Sequence, residues 1–270
     1  MTPGRGVALL LGVPVVLTFI AFGGYSVVQS LGRASFPVRY QVQVPASGLT
    51  MGLGGGSVTV RGDAPSAGTA QVSGTVSYDL ARPSVRHDAT GISLNCPGID
   101  LGNCDLDATV DVAASTAVKL TTGGGDLSVS GLSGMVSAST DGGNVNATFL
   151  SDGATLSTGG GDVTVSQLSG TVSLHTDGGN ITGTAIMSTQ VSAATGGGDI
   201  QLTLTQVPRN LTVSTDGGDV TIVVPKGVYY VQAHTDGGTV QNNVETSSSS
   251  SSPDHITATS GGGDITISQS

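Results

Sequence analysis

Apolar and polar residues alternate with a period of two over most of the chain, in runs of four to eight residues. That is the mark of a strand with one face buried. The runs recur in register with a repeated phrase, Thr-Gly-Gly-Gly-Asp or Thr-Asp-Gly-Gly followed by Asn, Asp or Thr. The residues ending each phrase are Asp126, Asn144, Asp162, Asn180, Asp199, Asp219, Thr239 and Asp264. One position further on stand Leu127, Val145, Val163, Ile181, Ile200, Val220, Val240 and Ile265. Three positions on stand Val129, Ala147, Val165, Gly183, Leu202, Ile222 and Ile267, with polar Asn242 as the exception. Before each phrase a second strand carries two further inward columns. They start at Val118 and Leu120 and recur through Val136/Ala138 and Leu211/Val213 to Ile256/Ala258.

Each unit of about 18 residues is therefore two short strands and two turns, one Gly-rich and one of the Leu132-Ser133-Gly134 type. Two arrangements satisfy the pattern. Stacked coils make a parallel β-solenoid, in which column mates are neighbours roughly 4.8 Å apart. Successive hairpins make an antiparallel meander, for which Asp-Gly and Gly-Gly are also turn signals. Small, uniform interior columns favour the solenoid, because an open meander this long needs another layer over its apolar face.

Outside the repeats the pattern changes. Val7 to Val28 is uncharged and follows Arg5, which predicts a transmembrane helix within an anchor segment 1–35. The short basic start places the amino end in the cytoplasm and the bulk of the chain outside the cell. The alternative is a cleaved signal peptide, for which an Ala-x-Ala site is missing. Residues 36–120 are β-like but less regular; Gly54-Gly55-Gly56-Ser57 resembles a degenerate first phrase, and the region is expected to cap the stack. Cys96 and Cys104, the only cysteines, are expected to form a disulfide in an exported chain. Residues 246–253 are a Ser-rich loop inside the repeat domain 121–270.

Composition narrows the chemistry. With 43 glycines, no Trp and 3% aromatics, the chain suits a thin regular β stack rather than a bulky core. Residues 1–120 carry seven acids and seven bases; residues 121–270 carry twelve acids against Arg209 and Lys226, which accounts for the net charge of −10. A nucleic-acid partner for the repeats is thereby disfavoured.

The acids gather at the Gly-rich turn. They occupy the fourth place of the phrase at Asp126, Asp162, Asp199 and Asp264, and the first at Asp141, Asp177, Asp216 and Asp236. From 123 to 199 the two types alternate, which spreads like charges apart; afterwards the order lapses, and Asp216 and Asp219 share one phrase. Turn chemistry explains such residues without a ligand, since Gly supplies the bend and Asp or Asn caps it. A calcium reading names Asp199, Asp216, Asp219 and Asp236 as ligands, but lacks the x-Gly-x-Asp spacing of calcium-binding β-rolls. No cofactor and no catalytic residue is assigned. The four histidines lie apart from one another, and no nucleophile sits with a base. Clustered carboxylates keep a polysaccharide-acting β-helix enzyme as an alternative, although the aromatics that stack on sugars are scarce.

The segments Gly54–Gly62, Val110–Val118 and Gly161-Asp162-Val163-Thr164-Val165-Ser166 resemble the bacterial "putative adhesin" family of domains of unknown function. The resemblance covers roughly residues 36–270. It departs from the family where Gly-Gly-Gly-Asp stands for Gly-Ser-Gly-Asp, and where Ala113 stands for a proline. It implies a membrane-anchored, extracellular, adhesin-like protein without catalysis, whose partner is another protein or a cell-wall glycan. An envelope-stress or signalling accessory is the remaining reading.

Overall fold

The computed structural model describes residues 34–64, 67–79, 84–87, 91–95 and 104–270. The apolar segment on which the anchor expectation rests, and Cys96, lie outside them. The described residues are all β, with 22 strands and no helix.

The repeats form a parallel solenoid. Val136 lies in register with Val118 on one side and Ala154 on the other, both pairings parallel. The same step carries Ala154 to Val172, Val172 to Val191 and Val191 to Leu211. A second sheet stacks the strands after each phrase, through Leu127, Val145, Val163, Ile181, Ile200 and Val220. The antiparallel meander is excluded for the repeats. Antiparallel pairing is found at the amino-terminal side, where Ala34–Gln43, Thr69–Tyr78 and Cys104–Asp111 lie side by side and Ser84–His87 pairs with Gly91–Asn95.

The inward columns form one continuous core between the two sheets. Leu156, Val163, Leu168, Val172, Val213 and Ile222 are wholly buried there. Burying a side chain of this kind contributes about 1.5–3 kcal/mol, and a coil this short buries its four or five only by packing against its neighbours. At the second turn the chain bends through the left-handed region at Gly131, Phe149, Gln167 and Ala185. The next residue drops into the core each time, as Leu132, Leu150, Leu168 and Ile186. Gly183 leaves room for this, because a Cβ there would press on Ile186 and Leu202.

Stacking order departs from chain order at both ends. Leu211 is in register with Ile256, and Ile256 in turn with Val231; likewise Val220 pairs with Ile265, and Ile265 with Val240. The last coil, 255–269, thus lies between coil 210–224 and coil 228–243. At the other end Val58–Arg61 lies between Cys104–Asp111 and Leu127–Ser130. Its companion Leu49–Leu53 lies between Gly91–Asn95 and Val118–Thr122. The first coil and the last are therefore both interior, with backbone partners on both sides, and the last is second from its end of the stack.

Candidate functional site: the Gly-rich corner and the outer faces

At the Gly-rich corner two hydrogen-bonded ladders run along the stack. The first uses the residue that ends each phrase. Asn144 N–H donates to Asp126 Oδ1 at 2.7 Å, Asp162 N–H to Asn144 Oδ1 at 2.9 Å, and Asn180 N–H to Asp162 Oδ1 at 2.7 Å. Asp199 donates to Asn180 and Asp219 to Asp199, each at 2.8 Å. Asp264 donates to Asp219, and Thr239 to Asp264, each at 2.7 Å. The ladder starts at Asp107, which accepts from Ser57 N–H, while Ser57 Oγ accepts from Asp126 N–H. It ends where it must. Thr239 belongs to the outermost coil among the described residues, which bring it no further N–H, and gives its own hydroxyl to Asp264 at 3.0 Å.

The second ladder uses the residue that opens each phrase. Thr140 Oγ1 donates to Gly125 O, Thr158 to Gly143 O, Thr176 to Gly161 O and Thr215 to Gly198 O, at 2.6–2.9 Å. Each hydroxyl also accepts the N–H of the Gly three residues on in its own phrase, as Thr176 does from Gly179 at 3.0 Å. These threonines are buried, Thr176 completely. The sequence reading counted them as part of a polar phrase and missed this. Parity was the available signal, because Val172, Leu174 and Thr176 continue one alternation inward.

Steric contact fixes the glycines. A Cβ on the third Gly of a phrase would run into the carbonyl of the coil below, as for Gly161 over Gly143 or Gly263 over Gly218. The first position alternates. A Cβ on Gly159, Gly196 or Gly261 would meet the carbonyl of Asp141, Asp177 or Asp216, whereas the aspartates themselves point outward and are exposed. In spatial order this position reads Gly123, Asp141, Gly159, Asp177, Gly196, Asp216, Gly261, Asp236. The alternation that lapses along the sequence after residue 199 is unbroken in space, because coil 255–269 is interposed.

That order also places the calcium candidates relative to one another. Asp199 and Asp219 are in adjacent coils and joined through the ladder. Asp236 does not adjoin Asp216: Gly261 packs on Asp216, and Asp236 N–H bonds to Ser260 O in the next coil. Asp219 Oδ1 is occupied by Asp264 N–H. Among the described residues no three His, Cys, Asp or Glu side chains are grouped to hold a metal ion. The hydrogen bonds from Thr239 hold the Asp264 carboxyl below the usual carboxylate range.

The outer faces carry the remaining polar chemistry. His175 Nε2 lies 2.9 Å from Asp177 Oδ1, and His234 Nε2 3.0 Å from Asp236 Oδ1, both pairs exposed. Ser157 bonds to Ser139 across adjacent coils at 3.0 Å. An open depression of about 620 Å³ on the amino-terminal sheet is lined by Arg39, Ser57, Ser73, Thr75, Asp107 and Thr109, among others. A neighbouring one shares Arg39 and Ser73 and adds Tyr40, Gln41, Gln71 and Asp111. Large apolar side chains exposed at or beside the second turn are Met135, Phe149 and Met187.

A parallel stack of two-strand coils, closed at one corner by paired Thr and Asp/Asn ladders over close-packed glycines, defines a glycine-rich β-solenoid. Residues 69–270 match the Toastrack DUF4097 family, and the chain belongs to it. A solved structure of a "putative adhesin" from Parabacteroides distasonis shares the fold at 14% identity, with a TM-score of 0.54, over 86% of this chain and 97% of its own. A "putative cell adhesion protein" from Clostridium sporogenes aligns at 17% identity over 87% of this chain and the whole of its own, with a TM-score of 0.34. No curated protein matches.

Proposed function

We propose that the protein is a membrane-tethered extracellular scaffold, adhesin-like and non-catalytic, which presents its outer faces to a protein or cell-wall glycan partner. The observation that carries this reading is the corner ladder. The phrase-ending acids, which alone suggested an enzyme or metal site, each accept a backbone N–H from the next coil, at Asp126, Asp162, Asp199, Asp219 and Asp264. They are thereby committed to joining the coils. What the molecule offers outward is a long, regular polar surface with shallow depressions, suited to contact over an area. The Parabacteroides distasonis protein that shares the fold, named a "putative adhesin", agrees with this reading. The tether is proposed from the apolar segment Val7–Val28, and the Cys96–Cys104 disulfide from the export that the tether implies.

Crosslinking in intact cells followed by recovery of the full chain tests the proposal. A reproducible protein or wall-glycan partner, lost when Thr164, Thr182 and Gln201 on one outer face are replaced by Lys, is the expected result. Release of soluble product from cell-wall polysaccharide by the purified chain, abolished by Asp216→Asn with Asp219→Asn, would replace the scaffold with the enzyme. Protease digestion of intact cells checks the location: residues 36–270 should be cleaved from outside.

A further inference from the structure

The last coil sits in a slot. Its two neighbours, coils 210–224 and 228–243, share no ladder with one another; each is joined to 255–269 instead. On the inner wall His255 N–H donates to Arg209 O, Ser260 Oγ to Gly218 O and Asp264 N–H to Asp219 Oδ1. On the outer wall Tyr230 N–H donates to Asp254 O, Thr235 Oγ1 to Gly263 O and Thr239 N–H to Asp264 Oδ1. Ile256, Ala258, Ile265 and Ile267 are wholly buried between the walls. The segment filling the slot is joined to the rest only through the Ser-rich stretch after Glu245, which is largely exposed.

We propose that this slot takes the same segment from a second copy of the chain, giving a reciprocal strand-exchanged dimer. In chain order, coil 228–243 is laid down before its inner neighbour exists. Until 255–269 docks, therefore, coil 228–243 has no ladder partner in the stack and the position between it and coil 210–224 is open. Whichever segment 255–269 arrives first fills it, and the bonds made are identical whether it comes from the same chain or another. Residues 245–253, at ~3.3 Å each, reach about 30 Å when extended, enough to cross to an adjacent molecule. The walls select against foreign strands. Gly261 and Gly263 lie against the carbonyls of Asp216 and Gly218, where any Cβ collides, and Asp264 completes the ladder on both sides. A filling segment must therefore repeat Ser/Thr-Gly-Gly-Gly-Asp, with an apolar residue two positions before it and one directly after it, which a copy of this chain supplies.

Thr221 and Thr266 are partners in register on half-exposed outer positions. One full chain carries Thr221→Cys and a second carries Thr266→Cys; they are unfolded, mixed, refolded over a range of concentrations and oxidised. The expected result is a disulfide-linked dimer of the two variants, its fraction rising with protein concentration. A chain carrying both substitutions is refolded dilute and should cross-link within itself. If that internal link forms while the mixture yields no dimer, the slot fills only from its own chain and the proposal is overturned. Failure of the internal link would overturn the register on which the proposal rests. An equal yield from Thr221→Cys mixed with Thr182→Cys, whose sites are not partners, would show random collision and overturn it as well.

Discussion

The two corners of each coil solve the same problem by opposite means. At the Gly-rich corner successive backbones touch, so the residue type is dictated at almost every place: a buried Thr or Ser, a Gly under the next carbonyl, an acceptor at the end. At the other corner only the residue entering the core is constrained. Gly131-Leu132, Phe149-Leu150, Gln167-Leu168 and Ala185-Ile186 share an apolar second residue, while the first adopts the same left-handed bend in four different residue types. Three of those are not Gly, which costs about 1–2 kcal/mol at each for the crowded Cβ. Sequence uniformity therefore reports where backbones meet, not merely where the chain turns.

Substitutions of opposite sign should sharpen this contrast. The largest effect is expected from Gly161→Ala, whose Cβ strikes the Gly143 carbonyl; a loss of about 3 kcal/mol, at the upper end for overpacking, should appear in urea unfolding. Gly160→Ala, one residue away with nothing near its Cβ, should stay within about 0.5 kcal/mol. Equal losses at both would mean that Gly is required for the bend rather than for the close approach.

Thr176→Val comes next. It keeps the shape but strips Gly161 O and Gly179 N of their buried hydroxyl partner. The expected loss is about 2 kcal/mol, with faster amide exchange at Gly179 as the local signature. At the opposite corner Phe149→Asn should act the other way. Phe149 is 61% exposed at φ 57°, and Asn tolerates that bend better. A gain of about 0.5–1 kcal/mol in the same urea titration is expected, and a loss would assign Phe149 a packing role on the surface.

The smallest effect concerns pH. Because Asp264 titrates lower in the folded chain than in the unfolded one, its contribution is present above the unfolded value and lost as pH falls through the folded one. It is fully exposed and screened, so the change should be slight and should vanish in Asp264→Asn. Amide exchange at Thr239 between pH 5 and 2 is the measurement.

Much of the coil was legible in the primary structure. The period, the four inward columns and the Gly phrase all follow from alternation, and the columns stack as their spacing implies. Asn242, the one polar residue in its column, proved informative: it lies exposed in the outermost coil, where an apolar residue would face water. The buried threonines escaped notice because Thr suits a solvent-facing turn as readily as an internal hydroxyl ladder, and only packing separates the two. The left-handed corner escaped because three of its four residues lack the glycine that advertises such a bend.

What the sequence by itself determined is the cross-section of a coil: which residues face in, where the chain turns, and which side chains can pass a hydrogen bond to a neighbour. What it left open is which coil that neighbour is. Coils built to one pattern offer nearly equivalent faces, so pairing 211 with 231 and pairing 211 with 256 look alike along the chain. Tertiary structure decided between them through the corner. With 255–269 interposed, every Gly that must lie against an Asp carbonyl does so, and the acceptor ladder runs on to a threonine that needs nothing beyond it.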